Sequence, residues 1–261
     1  MKLAVCGCSF SATVEGEYAN THWSELLANT MDYELINFAR QGISNAAIRV
    51  QIDEAIAQHA DYVCIGFTTE DRIELPLGKF QKVKDGSPNH TAYMDKRNGW
   101  RHERGLQNFN YGNRHPYTMI SETIFSIIDK LPHNYRVAEV PENIRLAVEG
   151  YAAFMYDAHW KKQLDRWVIN SGLWKLHDLS IPFLYNPWTN VTPVDMNFDM
   201  PEWFQKRYFV SGDMGFGVMC DRYPHTPDIG YHTSPQGQKA IANGYWNFIQ
   251  NQRNNNENFN S

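Results

Sequence analysis

The chain has 261 residues, enough for one large domain with a full core. Hydrophobic residues are 43% and charged residues 20% of it, the balance of an ordinary globular protein. The formal net charge of −5 excludes the basic footprint of a general nucleic-acid binder, and no apolar run reaches the ~18 residues of a membrane span.

The opening Met1-Lys2-Leu3-Ala4-Val5-Cys6-Gly7 goes from a short apolar run straight into a turn. It has no long apolar region and no cleavage site. It therefore predicts a first strand over 3–6 and a cytoplasmic protein made without signal-dependent export. Cys6, Cys8, Cys64 and Cys220 have no disulfide-framework or zinc spacing and read as reduced thiols.

Strand and helix signals then alternate, which favours a mostly parallel sheet covered by helices. A helix is predicted over 21–29, with Trp23, Leu26 and Leu27 on one face, and a second strand over 35–38. Ser44 is placed to cap a helix from 45 to about 58, and Ile48, Ile52 and Ile56 give that helix a buried stripe. Residues 62–67 form a third strand. Residues 183–185, after Pro182, form a fourth.

Residues 75 to about 131 break the rhythm and read as an insertion after the third strand. Between Arg72 and Arg114 there are nine Lys/Arg against four Asp/Glu, with Phe80, Tyr93, Trp100, Phe109, Tyr111 and Tyr117 close by. Such a segment suits a wall or lid over the site. Trp100, Arg101 and Arg104 are its candidate contacts to an anionic or carbohydrate-bearing ligand. A solvated insertion, or a contact between copies of the chain, accounts for it equally well.

Residues 142–177 read as a long helical stretch, and Trp160, Trp167 and Trp174 recur on one face as a packing stripe. Ser234-Pro235 opens a last helix with Ile241, Tyr245 and Phe248 inward. The polar tail 251–261 is expected to be disordered.

In open α/β sheets, ligands bind beyond the carboxyl ends of the strands. Three segments end there: Gly7-Cys8-Ser9-Phe10-Ser11, Gln41-Gly42-Ile43-Ser44-Asn45 and Gly66-Phe67-Thr68-Thr69. A fourth segment, 228–237, precedes the last helix and carries His232. A serine hydroxyl needs an adjacent base to be a nucleophile at neutral pH, and histidine suits that role. A carboxylate orients the imidazole, and amide donors stabilise the oxyanion. The Ser9 and Gly42 amides are candidate donors, since glycine lets its backbone approach closely.

These blocks resemble those of the SGNH or GDSL hydrolases. Gly7-Cys8-Ser9-Phe10-Ser11 is similar to their Gly-Asp-Ser-hydrophobic-Ser. Asn37-Phe38-Ala39-Arg40-Gln41-Gly42-Ile43-Ser44 is similar to their glycine block, and His232-Thr233-Ser234-Pro235-Gln236-Gly237-Gln238 to their His-Pro-Ser-x-x-Gly-His. The resemblance implies a flavodoxin-like three-layer sandwich and ester hydrolysis, often of acetyl or other acyl groups on sugars or lipids. It implies a Ser-His-Asp mechanism with no metal or other cofactor.

This chain departs from the family pattern in three places. Cys8 stands where the family has Asp. Thr68 stands where the family has the Asn that donates to the oxyanion. Ile229 stands three residues before the histidine, where the family has its acid. Asp228 is the neighbouring candidate, with Asp221 and Asp213 as alternatives.

Two rival functions are weighed beside this one. Ser9, Ser11 and Thr13 make a hydroxyl-rich loop that could cradle a phosphate group in a flavodoxin-like binder. Loss of the Asn-Asp block suits a non-catalytic carbohydrate-binding or structural protein on the same fold. Cys8 is a further candidate nucleophile.

Overall fold

A computed structural model of the chain describes residues 1–8, 10–12, 20–39, 44–68, 72–75, 118–121, 154, 157–186, 200–210, 212–224 and 233–259. Its centre is a four-stranded parallel sheet in the order β2-β1-β3-β6. The strands are β1 (Lys2–Gly7), β2 (Glu34–Asn37), β3 (Tyr62–Gly66) and β6 (Phe183–Asn186). β1 and β3 are buried on both faces, which is why they read as continuous apolar runs. β2 is an edge strand and is only partly covered. Beyond β6, Phe209 bridges Tyr185 in parallel and the Val210 amide donates to the Tyr185 carbonyl at 3.0 Å, which marks a fifth position. The order is that of a flavodoxin-like sheet, and the α/β three-layer class predicted from the sequence is the class observed.

The register aligns the carboxyl ends. Val5 lies beside Asn37, Gly7 beside Gly66, and Gly66 beside Asn186. The chain passes from β1 to β2 in one direction and back across β1 to β3. Right-handed crossovers therefore put the intervening helices, α1 (Trp23–Met31) and α2 (Asn45–Ala57), on opposite faces. The outer helices follow: α6 (Pro235–Phe259) packs on α1 and against the short α5 (Phe216–Arg222), and α3 (Ala158–Asp178) packs on α2.

Local chemistry sets the helix starts. His22 caps α1: its Nδ1 accepts from the Ser24 amide at 3.3 Å, while Glu25 accepts from the His22 amide. Ser44 caps α2 as its sequence predicts, its Oγ accepting from the Ala46 amide at 3.1 Å. Ile48 and Ile52 are fully buried, and Ile56 is partly so. Asp53 ties the α2–α3 layer together. Burial pushes its carboxyl up, but bonds from Arg49 and Lys175, each at 2.7 Å, outweigh this and hold it below the usual carboxylate range.

Two elements differ from expectation. The Trp stripe of α3 is not its packing face: Trp160 and Trp167 are 54% and 52% exposed and meet each other edge to face at 5.5 Å. Only Trp174 engages the core, 4.7 Å from Phe204 in α4 (Glu202–Tyr208). Heptad spacing places residues on one face without saying which face points inward. The buried stripe is Asp165, Ile169, Leu173 and Leu176, with Gly172 leaving room for the Arg49 and Ile52 side chains of α2. The second difference is the tail. α6 continues to Phe259 rather than becoming disordered at Asn251. Gln252 supports the extension by accepting from Tyr62 Oη at 2.5 Å and donating to the Phe183 carbonyl at 3.1 Å.

After β3 the chain forms a separate antiparallel pair, β4 (Arg72–Leu75) with β5 (Thr118–Ser121). β4 lies beside α2. The stretch between these strands, with Trp100, Arg101 and Arg104, lies outside the described residues. Among the described residues, no helix is long and apolar enough to cross a membrane.

Candidate active site

Ser9, Gly42, Asp228 and His232 lie outside the described residues; Thr68 and the segments flanking the others lie within them. The first of these segments follows β1. The Cys8 carbonyl accepts from the Ser11 and Ala12 amides at 3.0 and 3.1 Å, so the chain turns between Cys8 and Ala12. Three further bonds fix the far side of the turn. Trp23 Nε1 donates to the Phe10 carbonyl at 2.8 Å, His22 Nε2 to the same oxygen at 3.2 Å, and Asn37 Nδ2 to the Ser11 carbonyl at 2.8 Å. A carbonyl can only accept, so His22 carries its proton on Nε2, and its Nδ1 accepts from Ser24.

Glycine is required where this turn meets the sheet. A Cβ on Gly7 would lie 2.6 Å from Ser11 Cβ, and one on Gly66 would lie 2.6 Å from both Ser11 Oγ and Phe216 Cε2. Ser11 thus fills the space that the two glycines leave between β1 and β3. Gly66→Ala is expected to lower stability by about 1–3 kcal/mol, the usual effect of overpacking a filled interior. Urea unfolding measures this, and an unchanged midpoint would contradict the packing described.

Cys8 is fully buried against this core. A reactive thiolate needs access, so burial disfavours Cys8 as the nucleophile. Burial also pushes the Cys6 and Cys64 thiols up, which keeps them protonated.

The segment before α6 is closed at both ends. Pro224 and Thr233 form an antiparallel bridge, and the Ser234 amide donates to the Tyr223 carbonyl at 2.9 Å. Asp228 and His232 lie between Pro224 and Thr233 in the sequence. Ser234 caps α6, its carbonyl taking the Gln238 amide at 2.9 Å, with Pro235 at the first helical position. Gln238 then joins this end to α1. Its Nε2 donates to Thr233 Oγ1 at 3.0 Å, and its Oε1 accepts from the Trp23 amide at 2.9 Å. A connected path therefore runs from Thr233, next to His232, through Gln238 and Trp23 to Phe10, next to Ser9. Of the alternative acids, Asp213 and Asp221 are both exposed, unlike the buried carboxylate of a Ser-His-Asp triad.

Thr68 is the last described residue of the third segment and is 2% exposed. Asn45, the first residue of α2, brackets its backbone. The Thr68 amide donates to Asn45 Oδ1 at 2.9 Å, and Asn45 Nδ2 donates to the Thr68 carbonyl at 3.0 Å. Thr68 Oγ1, by contrast, is buried with no hydrogen-bond partner. Ser11 Oγ, Gln51 Nε2 and Asn186 Oδ1 share that condition near the same sheet edge. Buried polar atoms without partners are rare, and a catalytic role is one of the reasons they occur.

Sequence reasoning missed His22, Asn37, Asn45, Asp165 and Gln238 as parts of this framework. Asn37, Asn45 and Gln238 fell inside recognised segments, but none of them was given a role.

No family model matches the sequence, and no curated protein matches it. Among solved structures, the chain is similar to a lipolytic protein of the G-D-S-L family from Desulfitobacterium hafniense, at 12% identity and a TM-score of 0.44, covering 95% of this chain and 98% of that one. It is also similar to TesA, at 11% identity and a TM-score of 0.45, covering 97% and 99%. A third is the psychrotrophic esterase EstA from Pseudoalteromonas, at 10% identity and a TM-score of 0.47, covering 97% and 98%.

Proposed function

We propose that the protein is a serine ester hydrolase acting on an acyl, most simply acetyl, ester. The observation that carries this reading is the hydrogen-bonded path joining the neighbours of Ser9 and His232, two residues far apart in sequence, at the carboxyl edge of the sheet. Ser9 Oγ attacks the ester carbonyl carbon while His232 removes its proton, and Asp228 orients the imidazole. The Ser9 and Gly42 amides and the Thr68 hydroxyl receive the oxyanion. Collapse breaks the carbon–oxygen bond. The alcohol leaves with the proton from His232, and an acyl group stays on Ser9. Water activated by the same histidine then releases the acid. Every proton is returned, so the cycle needs no cofactor.

Hydrolysis of a chromogenic acetyl ester by the purified chain tests the proposal. Turnover well above the buffer rate is expected. A rate no higher than buffer across acetyl, butyryl and glycan acetyl esters would remove the reading.

The basic, aromatic insertion gives this reading its substrate class. Trp100, Arg101 and Arg104 are proposed to favour anionic or carbohydrate-bearing esters, by stacking and by pairing with carboxylate or phosphate groups. Changing all three to alanine is expected to raise KM for acylated anionic glycans about tenfold, the scale of one lost charged contact, and to leave small acetyl esters unaffected. Equal effects on both substrates would leave the insertion a structural role only.

A further inference from the structure

Thr68 sits just beyond the end of β3, where strand pairing no longer fixes the chain. The Asn45 carboxamide takes over there. It bonds both the amide and the carbonyl of Thr68, much as a neighbouring strand would. Its direction is also set. The second Nδ2 proton of Asn45 goes to Asp165 Oδ2 at 3.0 Å, and Asp165 Oδ1 receives Lys161 Nζ at 2.5 Å within α3. A carboxylate offers only acceptors. If the Asn45 amide were flipped, its oxygen would face that carboxylate and its two bonds to Thr68 would be mismatched. Asp165 therefore selects the one orientation that holds the Thr68 backbone.

The hold matters because of what Thr68 is. Its hydroxyl is attached directly to Cβ and has a single torsion, so its position follows the backbone closely. A longer side chain could correct a shifted backbone, but threonine cannot. The hydroxyl is buried and without a partner, while both backbone groups on the same residue are satisfied.

We propose that Asn45, oriented by Asp165, is a positioning residue that fixes the Thr68 hydroxyl as an oxyanion donor. This rests on the ester-hydrolase reading above. The network spans both helices of one layer and reaches the site without touching substrate.

The test is a kinetic set on a chromogenic acetyl ester, comparing Thr68→Val, Thr68→Ser, Asn45→Ala, Asp165→Asn and the Asn45→Ala/Thr68→Val double variant. Thr68→Val is expected to lower kcat about 10²- to 10³-fold, the loss of one oxyanion donor, and Thr68→Ser should restore most of it. Asn45→Ala should lower kcat about 10- to 100-fold with KM unchanged, as expected when only transition-state contacts are lost. The double variant should fall no further than Thr68→Val alone, because both changes remove the same contact. Asp165→Asn keeps the shape of the side chain and should move kcat in the same direction. It also carries the test if Asn45→Ala does not fold.

An Asn45→Ala effect that multiplies with that of Thr68→Val would overturn the inference alone, as would lost thermal stability with kcat unchanged. A wild-type protein that neither hydrolyses esters nor labels at Ser9 overturns the hydrolase reading, and this inference with it.

Discussion

Ser9→Ala is expected to lower ester turnover by about 10⁶-fold, the loss seen when a triad serine is removed. The turn that would present Ser9 is held by its neighbours. The Cys8, Phe10 and Ser11 carbonyls are all bonded, to amides within the turn and to His22, Trp23 and Asn37. None of these bonds uses the side chain at position 9. The variant should therefore fold normally, and its melting temperature should match wild type. Steady-state kinetics on a chromogenic acetyl ester, with melting curves alongside, separates the two effects. A tenfold loss or less would point to some other group as the nucleophile.

His232→Ala should cost about as much, again on the order of 10⁶, because nucleophile and base act as a unit. For the same reason, Ser9→Ala/His232→Ala should be no slower than either single variant. Asp228→Ala should cost less, about 10⁴-fold, since the carboxylate only orients and stabilises the imidazole. The bonds of Gln238 tie Thr233, the residue after His232, to α1 and do not select among the acids. A small loss in Asp228→Ala with a large loss in Asp221→Ala or Asp213→Ala would reassign the acid and leave the base in place. Full turnover in His232→Ala would contradict the histidine assignment itself.

The parts of this fold that were legible in the sequence are those that local chemistry decides. β1 and β3 announce themselves as short apolar runs because both faces are covered. Ser44 and Ser234-Pro235 mark helix starts because the cap and the first turn are satisfied within a few residues. The framework of the site was not legible, because its bonds are distant in sequence. Trp23 and Gln238 are 215 residues apart, and Asn45 and Asp165 are 120 apart. Asn45 reads as an ordinary first residue of a helix, and Asp165 as a polar interruption of an apolar face. Nothing local shows that one sets the amide orientation of the other.

The Trp160 and Trp167 misreading has a related cause. Periodicity identifies a shared face, but the inward face of α3 is the one that carries Ile169, Leu173 and Leu176, with Gly172 against the Arg49 and Ile52 side chains. The tail misled in the opposite sense. A run of Asn and Gln has no apolar pattern, yet Gln252 finds partners on β3 and β6, and Arg253 lies 5.7 Å over the Trp246 ring.

The measurement that bears most directly on the central claim is covalent labelling by a fluorophosphonate, with the modified residue located by tandem mass spectrometry. The phosphorus reacts only with a serine that a neighbouring base has activated, and the tetrahedral adduct occupies the oxyanion donors. A single adduct on Ser9 is predicted, formed in step with loss of esterase activity and greatly slowed in His232→Ala. An adduct on any other residue that accompanies loss of activity would contradict the account, as would full activity in protein whose Ser9 is completely labelled.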